Sequence, residues 1–250
     1  MTTQTLLRHS PRLRLWATLG IPLAIAALLL IFEPTRLDFA ISDLFYLPGE
    51  GFVARHNAFF EDWFHDRVKQ AVILVGVLAI GGLLLSFANR RWASWRLPFG
   101  YMVLAMGLST AIVPPLKTLT GVHCPWDLTR YGGGETYSPL LGDRAPTLKA
   151  GRCWPGGHAS SGFTFFALHF LLRDRRPRLA KVALVGAFAL GSTLSLARMM
   201  QGAHFLSHNV WTALFDWLIC LGFYALMLYH PAPKRRVAPP LGDQAASSSP

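Results

Sequence analysis

Residues 71–88 read AVILVGVLAIGGLLLSFA, eighteen consecutive positions without a charge. A helix needs about 20 apolar residues to cross the hydrocarbon core of a bilayer, so this stretch reads as a membrane span. Working outward, residues 15–32 form a second charge-free block of eighteen, 97–116 a third, 182–197 a slightly shorter one, and 209–229 one interrupted only by Asp216. Residues 156–172 are apolar apart from His158 and His169 and are read as a span as well. Six such helices in 250 residues leave too little polar surface for a soluble fold. The composition agrees, with 52% hydrophobic and 15% charged residues, against about a quarter charged in soluble chains. Disorder, collagen-like repeats and a small disulfide scaffold are excluded. The expected fold is all-α, a polytopic six-transmembrane-helix bundle in one membrane domain, 1–230, with spans about 15–32, 71–88, 97–116, 156–172, 182–197 and 205–229.

Charge distribution orients the bundle. The first block follows Arg8, Arg12 and Arg14, as in a signal peptide, but it is too long for one. Glu33-Pro34-Thr35 is no small-residue cleavage site, so a retained anchor is expected. With the N-terminus inside, segments 1–14, 89–96, 173–181 and 230–250 hold fourteen basic residues against two acids, while the outer loops hold ten of each. This is the positive-inside asymmetry, and it accounts for the net charge of +11 without a nucleic-acid partner. The expected location is the cell inner membrane, multi-pass, with both termini cytoplasmic. Two long outer loops result, about 33–70 and 117–155. In the first, Phe52, Phe59, Phe60, Trp63 and Phe64 resemble a helix lying in the membrane interface, or an ordinary aromatic belt. Residues 231–250, rich in Pro, Ala and Ser, read as a disordered cytoplasmic tail.

Polar side chains at the outer helix ends carry the chemistry. Lys117 ends the third predicted helix, His158 begins the fourth, Arg198 ends the fifth and His204 begins the sixth. Because consecutive helices alternate in direction, all four ends face outward. Two cations beside two imidazoles at helix N-termini suit an anion that exchanges protons, and phosphate chemistry fits best.

These residues resemble the type-2 phosphatidic acid phosphatases, the PAP2 family, which share their site with vanadium haloperoxidases. That family carries Lys-x6-Arg-Pro, Pro-Ser-Gly-His and Ser-Arg-x5-His-x3-Asp. This chain has Lys117-x6-Cys124-Pro125, then Pro155-Gly156-Gly157-His158, then Ala197-Arg198-x5-His204-x3-His208. The resemblance implies that Lys117 and Arg198 hold the phosphoryl oxygens, with Gly157 in the phosphate-binding motif. His204 attacks phosphorus to give a phospho-histidine, and His158 protonates the leaving oxygen. It implies no cofactor and no metal. Three positions depart from the pattern: Cys124 replaces Arg, with Arg130 or Arg152 available in its stead, Gly157 replaces Ser, and His208 replaces the Asp that orients the nucleophile. Lying four residues after His204, His208 shares its helix face and is expected to accept its hydrogen bond without adding negative charge. Asp216 is expected to pair inside the bundle, away from the site.

The expected function is an integral-membrane phosphatase acting on a lipid phosphate or pyrophosphate at the periplasmic face. A lipid phosphotransferase using the same site, and a catalytically weakened binding or transport relative, are the alternatives. Cys220 is expected to be a free thiol packed in the sixth span. Cys124 and Cys153 in the outer loop are expected to form a disulfide holding the first two motifs together, with zinc bound through Cys124, Cys153 and His123 as the other possibility.

Overall fold

A computed structural model describes residues 14, 16–55, 65–144, 147 and 149–230. The predicted interfacial segment from Phe59 to Phe64 and the 231–250 tail lie outside the described residues. Among those residues the chain is mostly helical. Four helical stretches are long and apolar enough to cross a membrane, Arg67–Ala88, Arg90–Asp127, Pro177–Met200 and Leu206–Met227. They become five if one sharply bent pair forms a single span.

That bent pair is the N-terminal block. A π-helical turn, Trp16–Gly20, leads into α1 (Ile21–Ile31), and α2 (Thr35–Asp43) leaves at 89°. Pro34 sits at the bend, where proline lacks an N–H to continue the ladder and drives the preceding residue out of helical conformation. A two-residue hairpin, β1 (Tyr46–Leu47) with β2 (Gly51–Phe52), follows. Phe52, read from the sequence as part of the interfacial run, is instead buried in this hairpin against Tyr46 and Tyr131. The following helix, α3 (His65–Ala88), exposes Ile73, Leu74, Val77, Leu78, Leu84 and Phe87. So broad an apolar surface is costly in water and suited to lipid.

The third predicted span divides into α4 (Arg96–Ala111) and α5 (Val113–Thr120). Ile112 still donates to Leu108 O at 3.0 Å, and Pro114 and Pro115 occupy the first turn of α5, where a missing N–H costs little. The span predicted at 156–172 also comes in two pieces, α6 (Gly157–Phe163) and α7 (Phe166–Leu172). Helical bonding continues between them through Thr164 N to Ser160 O at 2.9 Å and Phe165 N to Gly162 O at 3.3 Å, so the path is tightened rather than broken. The span predicted at 182–197 is the middle of a longer helix, α8 (Pro177–Met200), and α9 (Leu206–Met227) completes the set.

Packing is tightest where small residues meet. A Cβ on Gly162 of α6 would strike the backbone of Gly191 on α8, so both glycines are needed for this approach. Tyr101, Ala105, Phe163, Phe170 and Tyr224 fill the core between α4, α6, α7 and α9. Free Cys220 is buried there, with Ser109 Oγ 4.0 Å from its sulfur. Asp216 is fully buried and accepts from Ser160 Oγ at 3.2 Å, the expected pairing within the bundle. A separate aromatic cluster of Phe39, Phe52, Leu128, Tyr131, Tyr137 and Phe205 covers the end of the bundle where α9 begins.

Candidate active site

The Arg198-to-His204 spacing has a local physical origin. Gly202 adopts φ +74°, the left-handed conformation that ends helices, and its N–H bonds Met199 O while the Ala203 N–H bonds Arg198 O, both at 2.9 Å. This is a Schellman stop. It closes the last turn of α8 beneath Arg198 and turns the chain so that His204 stands just ahead of α9. Arg198 Nη1 donates to Gln201 Oε1 at 2.7 Å, and its guanidinium lies 5.7 Å from the centroid of the Trp126 ring.

The segment entering α6 is tied to α9. Gly156 N donates to His208 O at 3.2 Å, and Thr212 Oγ1 donates to Gly156 O at 3.0 Å. A Cβ at Gly156 would collide with Asn209 Oδ1, which explains the glycine. Gly157 is different. A Cβ there would sit 3.4 Å from Val113 and 3.5 Å from Lys117 Nζ, so the space accepts a small side chain beside the lysine ammonium. Lys117, Gly157 and His158 together line the polar end of a cavity of about 490 Å³, whereas Arg198 and His204 are not among its lining residues. Its remaining walls are largely apolar, from Val72, Ile73 and Gly76 of α3 and Met106 of α4. Lys69 also lines this cavity, a cation that sequence reasoning passed over because nothing near it resembles a motif.

His204 is 2% exposed. Burial holds its pKa well below the usual imidazole value, and the nearby Lys117, His208, Arg198 and His158 push the same way. The imidazole is therefore neutral at pH 7. His208 shares a helix face with it, but the ring centroids are 6.0 Å apart and Nδ1 of each ring has no hydrogen-bond partner among the described residues. The expected hydrogen bond between the two imidazoles is thus absent. The His208 ring packs instead edge-on against Phe205, with ring centroids 5.3 Å apart.

The two arginines available to replace the motif's missing cation part company. Arg130 is held by Asp43 through two bonds of 3.1 and 2.6 Å and is committed elsewhere. Arg152 Nη2 lies 3.4 Å from Thr118 Oγ1, one residue beyond Lys117, whose charge it influences. Cys124 and Cys153 form a disulfide, with Cα atoms 5.1 Å apart. That bond removes the zinc alternative, and His123 lies instead 3.7 Å from Glu135. No group of three His, Cys, Asp or Glu able to hold a metal occurs among the described residues.

Fold and site together define a helical membrane protein in which Lys117, His158, Arg198 and His204 lie near one another. Residues 98–232 match the model of the PAP2 superfamily, and the chain belongs to that family of phosphatases. It is 26% identical over 207 residues to the lipid A 4'-phosphatase of Francisella tularensis subsp. novicida (strain U112), covering 79% of this chain and 88% of that protein. No solved structure matches.

Proposed function

We propose that the protein is a lipid phosphate phosphatase working through a phospho-histidine at His204. The observation that supports this reading is the cavity whose polar end holds Lys117, Gly157 and His158 and whose walls are mostly apolar side chains of α3 and α4, with His204 and Arg198 close to that end although they do not line it. A phosphate at the polar end leaves its acyl or prenyl portion along membrane-facing helices. Lys117 and Arg198 bind the phosphoryl oxygens as charge-assisted donors. Neutral His204 attacks phosphorus as the bond to the leaving oxygen breaks, and His158 gives that oxygen a proton. His158 then accepts a proton from water as the water attacks the phospho-histidine, releasing phosphate and restoring both histidines. The scheme uses no metal, the cations supplying the charge stabilisation. The lipid A 4'-phosphatase relative favours lipid A over phosphatidic acid, phosphatidylglycerol phosphate and undecaprenyl pyrophosphate. Purified protein in detergent, given that panel, should release inorganic phosphate from at least one member. Transfer of the phosphoryl group to a second lipid without phosphate release would mark a phosphotransferase, and no reaction with any would remove the reading.

The same reading assigns six crossings to residues 1–230, a cytoplasmic tail at 231–250, and a periplasmic site. The Cys124–Cys153 disulfide, five residues before His158, supports an oxidising compartment on that side. Reporter fusions after residue 32 and within 117–155 should report outside, and fusions near Arg90 and at the C-terminus inside. An odd number of crossings would place the motif residues on opposite faces and end the model.

The different environments of the two arginines lead to a second expectation. Arg152→Ala should raise KM by up to about fivefold, the most an exposed charge contact is worth, with little change in kcat. Arg130→Ala, whose partner is Asp43, should leave KM unchanged. Equal KM values for the two variants would show that Arg152 does not meet the phosphate.

A further inference from the structure

Three carboxylates at five-residue intervals, Glu33, Asp38 and Asp43, run through the α1–α2 elbow, and each is joined to a different outer element. Glu33 accepts from Tyr137 Oη and from Leu140 N–H, both at 2.9 Å. Asp43 accepts from Arg130 and, at 2.9 Å, from the Tyr131 hydroxyl. Asp38 reaches furthest inward. It is 3% exposed, and its carboxylate accepts from the Ser207 N–H at 2.9 Å and from the Ser207 hydroxyl.

Ser207 is the second residue of α9 and lies between His204 and His208. The first-turn N–H groups of a helix have no partner within it and normally take one from the N-cap side chain. Here the N-cap is Phe205, which has no acceptor. Asp38 supplies it from a helix 169 residues away in sequence, and its negative charge suits the positive end of the helix dipole. Aromatic packing closes the contact on one side, with Phe39 edge-on to Phe205 at 5.4 Å and Phe205 edge-on to His208 at 5.3 Å. Asp38 lies outside the segment matched by the family model, so the elbow adds to this end of the bundle something that the matched segment does not contain.

We propose that Asp38 is a positioning residue that fixes the first turn of α9 and thereby the aim of His204 and His208. It acts through Ser207 and does not itself meet the phosphate. The proposal rests on the reading of His204 as the nucleophile. A small displacement of a reacting group lowers the rate without weakening substrate binding, and losses on the order of 10- to 100-fold are usual for about an ångström.

The test measures kcat, KM and amide hydrogen exchange on the full chain in detergent. Asp38→Ala should lower kcat on the order of 10- to 100-fold with KM within about twofold, and should speed exchange at residues 206–208. Asp38→Asn, which keeps one acceptor oxygen, should recover part of both, and Asp43→Asn should match wild type. A folded Asp38→Ala protein with wild-type kcat overturns the proposal. So does a loss confined to KM, or an Asn variant no better than Ala. If Asp38→Ala does not fold, Ser207→Ala, which removes one of the two bonds, should lower kcat by about fivefold, and an unchanged kcat overturns the proposal. Wild-type protein that releases phosphate from no lipid defeats the functional reading instead, and the exchange comparison then decides the latch alone.

Discussion

Replacing His204 with alanine is expected to abolish phosphate release, with a fall in kcat on the order of 10⁴-fold or more, as when a nucleophile is removed from other covalent-intermediate enzymes. The effect is large because no neighbour can substitute. The His208 ring is centred 6.0 Å from that of His204, and in the proposed scheme His158, which lines the cavity, is occupied as the acid. His208→Ala should give only a partial loss, because the His204 ring makes no hydrogen bond to it, whereas His208→Asp should retain or raise activity by adding a negative charge beside the phospho-imidazole. Release of phosphate by His204→Ala above a few per cent of wild type would sink the nucleophile assignment. The pH dependence follows from the lowered pKa of His204. As pH falls below 6.5, the unfolded chain takes up a proton on this residue while the folded chain does not. Stability contributed by the neutral ring is therefore lost progressively between pH 6.5 and the lower folded value. The His204 ring itself stays unprotonated through that window, so an acidic limb due to it should lie below pH 6.5.

Removing the Cys124–Cys153 bond is expected to be the most destabilising change in the segment 117–155. The bond spans 29 residues, and loop-closure entropy for a loop of this size corresponds to roughly 3–4 kcal/mol, or on the order of 10 °C in Tm. The cross-link is reinforced by neighbouring contacts, Cys153 N to Val122 O at 2.9 Å and Thr120 Oγ1 to Trp154 O at 3.2 Å, which hold the end of α5 against the approach to α6. Loosening it should therefore separate Lys117 from His158 and lower activity as well as stability. The check is thermal unfolding in detergent of wild type against Cys124→Ser/Cys153→Ser, together with thiol alkylation before and after reductant. An unchanged Tm, or two cysteines that react without reductant, would remove the bond and its role.

Membrane character, helix positions and the order of the site residues were legible in the sequence because each depends on neighbours along the chain. Eighteen apolar residues at 71–88 can satisfy their backbone only as a helix in lipid. Arg198 reads from the sequence as the end of one helix and His204 as the start of the next, and the left-handed Gly202 between them makes that break. The Cys124–Cys153 pair was legible too, as the two cysteines of one outer loop. What only the tertiary structure decided are the pairings between distant segments. Nothing near Asp38 in the sequence points to Ser207, nothing near Arg130 says that Asp43 claims it, and nothing around Lys69 places it on the cavity of Lys117 and His158. The hydrogen bond expected between His204 and His208 failed for the same reason. Spacing along a helix fixes which face a side chain is on, but the direction of the ring is set by what packs over that face, and here the two ring centroids stand 6.0 Å apart.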